Sequence, residues 1–110
     1  MVAFADAGTT TQGPRRVEDA GVEAVRAGNG LRITAYQGEQ RSGGYAVRIE
    51  RITRVGNELR VHARFIEPAP DSMNTMSLTY PSHTVSVDEV ADVIVLLDAT
   101  GTERARTAAR

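Results

Sequence analysis

Two runs of alternating residues joined by a glycine-led turn restrict this chain more than any other feature. In Tyr45-Ala-Val47-Arg-Ile49 and in Leu59-Arg-Val61-His-Ala63-Arg-Phe65 an apolar or aromatic side chain recurs at every second position. That is the period of a strand with one face on a core. Gly56-Asn57 between them puts glycine first in a two-residue turn, as a tight hairpin requires. Ile52 breaks the parity of the first run, and a one-residue bulge near Glu50-Arg51 restores it. Ile52 then faces Val61, Ile49 faces Ala63 and Val47 faces Phe65. Upstream, Gly43-Gly44 lets the chain reverse sharply and launch Tyr45 into the first strand.

Other segments carry weaker versions of the same pattern. Leu31, Ile33 and Ala35 alternate with Arg32, Thr34 and Tyr36, and Val85 and Val87 alternate with Thr84 and Ser86. Both read as half-buried strands. Val93 to Leu97 is continuously apolar, which marks a strand buried on both faces. Pro68-Ala-Pro70-Asp71-Ser72 ends the hairpin's second strand, because proline supplies no ladder donor. Met73 to Leu78 leads into Thr79-Tyr80-Pro81, where the proline biases Tyr80 toward extended geometry. Asp88 to Asp92 reads as an acidic turn.

Residues 17–27 read two ways. Val17, Ala20, Ala24 and Val25 fit a short helical face, while Asn29-Gly30 would close a hairpin with the next strand. A turn centred on Asn29-Gly30 sets Arg26 opposite Ile33, so the short helix is preferred. Residues 1–16 show no apolar period and are expected to be a flexible tail; 99–110 are expected to be a loose one. The expectation is a single, mainly β domain over 17–98. Its antiparallel sheet closes as a small sandwich or open barrel, with at most one short helix.

Charge adds a second constraint. All 13 basic residues are arginine, a whole-chain bias that a GC-rich genome explains. The net charge of −1 hides an asymmetry: eight arginines stand against three acids from Arg26 to Arg64, and seven acids against no base from Phe65 to Glu103. Such halves either face one another in the fold or present a bipolar surface through which copies associate. The chain has no cysteine, which excludes disulfides and thiolate metal sites. No apolar run approaches the roughly 18 residues of a membrane span. Met1 to Asp6 lacks the charged leader of a signal peptide and fits a mature N-terminus.

No motif points to catalysis. His62 and His83 lie far apart and outside any paired-ligand spacing, so neither a metal nor another cofactor is expected. His62 reads as a solvated cross-strand neighbour of Glu50 or Arg51, and His83, after a proline turn, as a residue that orients a loop. Ser42, Ser72, Ser77, Ser82 and Ser86 are available nucleophiles, but Gly-x-Ser-x-Gly is absent. Gln40 to Gly44 has no lysine and precedes a strand, unlike a phosphate loop. The basic ribbon of Arg48, Arg51, Arg54, Arg60 and Arg64 has the form of a phosphate-contacting element. The acidic balance and the scarcity of aromatics on that face weigh against nucleic acid.

At Gly38-Glu-x-x-Ser-Gly-Gly-Tyr45 the sequence resembles the PrcB C-terminal domain family of bacterial exported proteins. That family shows Gly-Glu-x-x-Thr-Gly-Gly-Tyr before a hairpin, then a Ser-Pro-Gly-Pro-like loop, a Leu-Thr-x-Pro turn and a valine-rich strand. The counterparts are Gly38, Glu39, Gly43, Gly44 and Tyr45; Glu67-Pro68-Ala69-Pro70; Leu78, Thr79 and Pro81; and Val85 and Val87. Ser42 replaces the threonine, Ala69 and Asp71 replace loop glycines, and Ser82 stands where an aromatic is common. The resemblance implies a non-catalytic, exported accessory domain of the cell envelope that assists a protease complex. Its protein-binding loop would comprise Gln40, Arg41, Ser42, Gly43, Gly44 and Tyr45 with Tyr80 and Pro81. The Gln40 to Tyr45 loop is also similar in position to the Asn-Pro-Thr-Thr-Gly-Tyr loop of chagasin-like cysteine-protease inhibitors. It lacks the proline, and the chain has no tryptophan for their Arg-Pro-Trp-type loop. Inhibition is therefore the second reading.

Overall fold

The long hairpin forms in the register that its side-chain pattern predicts. In the computed structural model, which describes residues 1–70 and 76–109, β4 (Ala46–Val55) and β5 (Glu58–Ile66) pair antiparallel across Gly56-Asn57. Ile52 lies opposite Val61, Ile49 opposite Ala63 and Val47 opposite Phe65, and the register shifts between Ile49 and Arg51. The bulge at Glu50 keeps Val47, Ile49 and Ile52 on one face, and all three are buried.

The remaining strands are β1 (Phe4–Thr10), β2 (Gly21–Ala27), β3 (Gly30–Tyr36), β6 (Ser82–Val87), β7 (Val93–Leu97) and β8 (Glu103–Ala108). They build two four-stranded sheets, ordered β1-β6-β3-β2 and β4-β5-β7-β8. All pairings are antiparallel except β5 with β7, which is parallel. The inner faces supply one core, from Leu31, Ile33 and Val85 on the first sheet to Leu59, Val61, Ile94 and Leu96 on the second. The described residues contain no helix, so the domain is an all-β sandwich.

The short helix expected over 17–27 is instead β2, paired with β3 along its whole length. The turn is Gly28-Asn29, not Asn29-Gly30: Ala27 pairs with Gly30, and Gly28 takes a φ of 59°. That one-residue change sets Ala24 opposite Ile33 and Val22 opposite Ala35, so apolar faces apolar. Both ends also differ from expectation. Residues 1–16 contain β1, on the edge of the first sheet, and 99–110 contain β8, on the edge of the second. Both edge strands are mostly exposed, which is why no apolar period announces them.

β7 is covered on both faces; Val95, opposite Arg60 and Arg106, is 2% exposed. The long side-chain stems beside it can shield it while their charged heads stay in water. β5 ends at Ile66, two residues before Pro68, but Asp71 and Ser72 and the Met73–Thr75 part of the next segment lie outside the described residues. β3 is a central strand, and Thr34 and Tyr36 on its outward side are buried as well. Pro14, in the segment that crosses from β1 to β2, shares a groove with Thr34, and Arg15 of the same segment is bonded to Glu23 at 2.7 Å.

Candidate functional site

The glycine-rich stretch between β3 and β4 is held by the stretch that precedes β6. Gln40 and Thr79 exchange two backbone hydrogen bonds of 2.9 and 2.8 Å. The Thr79 hydroxyl donates to the Ser42 carbonyl at 3.0 Å, and the Gln37 N–H donates to the Pro81 carbonyl at 3.0 Å. The Tyr80 phenol donates to Glu39 Oε1 at 2.9 Å. That bond, followed by desolvation, raises the proton affinity of the phenol. The Gln37 carboxamide donates to the Ile66 carbonyl, tying the base of the loop to the end of β5. Glycine is required at the start: Gly38 has a φ of 98°, and a Cβ there would stand 2.8 Å from the Glu18 carbonyl. Gly44, with a φ of 90°, makes the second reversal, and β4 begins two residues later.

All eight residues expected in the contact loop therefore fall in one neighbourhood, but in two roles. Arg41 and Gly44 are exposed, while Gln40, Ser42, Gly43 and Tyr45 are half-buried. Tyr80 and Pro81, expected in the contact loop, are buried. Their part is to brace the loop from beneath. The Arg16 guanidinium lies 5.6 Å from the centre of the Tyr80 ring and closes it over from the other side. Tyr45 borders a groove of about 370 Å³, whose other walls are Thr9, Thr10, Thr11, Ala46, Val47 and Ser82. Sequence reasoning missed this threonine wall because it lies at the end of β1 and just past it.

The two histidines serve different parts of the fold. His83 is buried between the sheets, where its Nδ1 accepts the Ile49 N–H at 2.8 Å. That bond leaves the proton on Nε2, which points to Asp6 Oδ1 at 3.1 Å. Asp6 also accepts the Gly8 N–H, and these two bonds, the Gly8 bond foremost, lower the affinity of its carboxylate for protons. His83 is thus a core pin between β6, β4 and β1, not a loop orienter. One signal announces it: position 83 is in phase with Val85 and Val87. His62 lies opposite Arg51, as expected, with Nε2 3.1 Å from the Thr53 hydroxyl. Tyr36, buried and beside Glu23, has its phenol pushed up to about 12. Among the described residues no three histidine or acidic side chains gather to hold a metal ion, and no helix is long and apolar enough to cross a membrane.

The folded environment lowers the proton affinity of His62 from the ordinary 6.5, first by desolvation and then through Arg51 and Arg60. Between 6.5 and its folded value the unfolded chain therefore binds more protons, so stability falls as pH drops through that window. Asp6 acts elsewhere: its depressed affinity adds stability above the ordinary 3.8, lost only as pH falls through the still lower folded value. Urea unfolding is expected to show a decline in midpoint as pH falls from neutral past 6.5. His62→Gln should flatten that decline; an unchanged slope would contradict the assignment.

A family model described as PrcB C-terminal matches residues 31–88, just over half of the chain. The match begins at β3, takes in the braced loop and the β4–β5 hairpin, and ends after β6. No curated protein and no solved structure matches the chain.

Proposed function

The chain belongs to the PrcB C-terminal family, and from that premise we propose that it is a non-catalytic, protein-binding accessory domain. It acts as an exported or cell-envelope module that assists a protease complex by holding a protein partner. The observation that carries this reading is the bracing of the 37–45 loop by Thr79, Tyr80 and Pro81. A loop held at both ends by hydrogen bonds loses little further freedom when a partner arrives, so more of its contact energy appears as affinity. Arg41 at its crest and Tyr45 beside the threonine groove supply a cation and a partly exposed aromatic, two residue types that dominate protein contacts.

Affinity capture from an extract of the native source tests this reading. Tyr45→Ala and Arg41→Glu are expected each to reduce recovery of the partner by roughly tenfold, with an unchanged circular dichroism spectrum. Recovery equal to wild type with both variants would remove the loop from the interface. A papain inhibition assay at micromolar protein separates the inhibitor reading. Inhibition comparable to that of a control inhibitor would replace the accessory reading.

A further inference from the structure

The hairpin has a second consequence, on its face away from the core. The bulge at Glu50 that keeps Ile52 inside also brings Arg51 opposite His62. Arg48 stands directly opposite Arg64, and Thr53 opposite Arg60. Arg48, Arg51, Arg60 and Arg64 are all exposed. Like charges directly opposite on neighbouring strands repel, so this arrangement costs the free domain stability.

Internal pairing does not quench the face. Arg60 closes on Glu58 at 2.8 Å, and Arg54 leaves for Glu89 at 2.9 Å. Arg64 has only a 3.8 Å approach to Glu50, with both side chains about half exposed or more. A contact that long and that solvated contributes little. Among the described residues neither Arg48 nor Arg51 has a carboxylate within 4.0 Å. Arg51 lines a groove of about 420 Å³ that runs between the ribbon and the Asp98–Gly101 turn. Of the other charged walls of that groove, Glu50 makes only the 3.8 Å approach to Arg64, while Asp98 is committed. Asp98 Oδ1 accepts the Thr100 and Thr102 N–H groups and the Thr100 hydroxyl, and Oδ2 lies 3.6 Å from Arg104. The free guanidinium of Arg51 is the strongest unspent donor in the groove.

We propose that this outward face of the β4–β5 ribbon is a docking surface for an acidic, extended segment of a protein partner. One carboxylate of that segment pairs with Arg51 in the groove, and its neighbours meet Arg48 and Arg64. The inference rests on the protein-binding reading above and adds the chemistry of the partner. Charge selects a peptide over nucleic acid. Glu50, Glu58 and Asp98 rim the arginines, so spaced carboxylates fit where a continuous polyanion meets repulsion at every step. The outward residues of β4 and β5 also include no phenylalanine, tyrosine or tryptophan on which bases would stack.

The test is a titration of the full chain, labelled for amide NMR, with a short peptide of alternating glutamate and threonine. A lysine–threonine peptide and an oligothymidylate serve as comparisons. The expected result is shifts centred on Arg51, His62 and Arg64, absent with the lysine peptide and weakened by salt. Arg51→Glu combined with Arg64→Glu should weaken binding by roughly tenfold or more, as should the neutral Arg51→Gln combined with Arg64→Gln to a lesser degree. Arg26→Glu, at an exposed arginine on β2 that has no carboxylate within 4.0 Å among the described residues, should bind like wild type. No binding, or shifts confined to the β2 side, would overturn the proposal. Tighter binding of oligothymidylate would overturn it in favour of nucleic acid. Sedimentation showing self-association that Arg51→Glu abolishes would overturn it in favour of a second copy. None of these results touches capture through the 37–45 loop, so this surface and the accessory reading fail separately.

Discussion

Replacing His83 with leucine is expected to lower stability by about 2–4 kcal/mol, although leucine fills much of the same volume. The imidazole is 2% exposed and receives the Ile49 N–H on Nδ1 at 2.8 Å. Leucine offers no acceptor, and a buried amide left unpaired keeps the full cost of leaving water. Ile49 belongs to β4 and His83 to β6, so the bond joins the outer edge of the second sheet to the first. A further link to β4 is the Val2 N–H to the Ile52 carbonyl at 2.7 Å. The unfolding midpoint should fall by roughly 10 °C or more. Asp6→Ala should cost much less, because more than half of that side chain is exposed and water can replace it on Nε2. A His83→Leu variant as stable as wild type would show that the bond does not hold the sheets together.

Gly38→Ala is the second large effect, and it acts on the site itself. A left-handed backbone costs an L-residue about 1–2 kcal/mol, and Gly38 sits at a φ of 98°. Its new methyl would also press on the Glu18 carbonyl at 2.8 Å and the Asp19 carbonyl carbon at 2.9 Å, both of them backbone. Neither can swing aside as a flexible side chain would, which adds about 1–3 kcal/mol of overpacking. The Glu39 N–H, which donates to that same Glu18 carbonyl at 3.0 Å, would be pulled from place, and with it the Glu39 carboxylate that holds Tyr80. The expected result is a total loss of about 2–5 kcal/mol, together with faster amide exchange at Gln40 and Thr79. Gly8→Ala is the control, because Gly8 also has a positive φ, 116°, but open space around it. A Gly38→Ala loss no greater than that of Gly8→Ala would show that the close approach does not matter.

The parts of this fold legible in the sequence are those where a side chain's place is decided by its immediate neighbours. Ile52 out of phase with Ile49 reports the bulge, and Gly56-Asn57 reports the turn, so the register of β4 on β5 could be written down in full. The β2–β3 hairpin was hidden because Gly28-Asn29-Gly30 contains two overlapping turn dipeptides. Only the first sets Ala24 against Ile33. β1 and β8 are edge strands that bury little, and an edge strand leaves scant apolar record. The parallel pairing of β5 with β7 depends on packing between distant segments, which alternation within a segment does not encode.

The site was legible in the same partial way. The residues of the 38–45 loop and of Thr79 to Pro81 do meet in space, and their glycines and proline mark both reversals. What the sequence concealed is the direction of each side chain. Tyr80 turns inward because Glu39 offers its phenol an acceptor at 2.9 Å, a pairing across 41 positions that no local pattern announces. The separation of charge likewise resolved mostly into local pairs: Arg60 with Glu58, Arg106 with Glu103, and Arg104 with Asp98. Arg54 with Glu89 is the link between the basic and acidic halves among the described residues.

Site-specific photo-crosslinking in extract of the native source tests most directly whether this is a protein-binding domain that works through its braced loop. A photoreactive residue is placed at position 45, beside the threonine groove, and in a separate sample at position 26, on β2. The account predicts a discrete crosslinked polypeptide from position 45, lost with Arg41→Glu, and none from position 26. Crosslinking of the same polypeptide from position 26 but not from position 45 would contradict it.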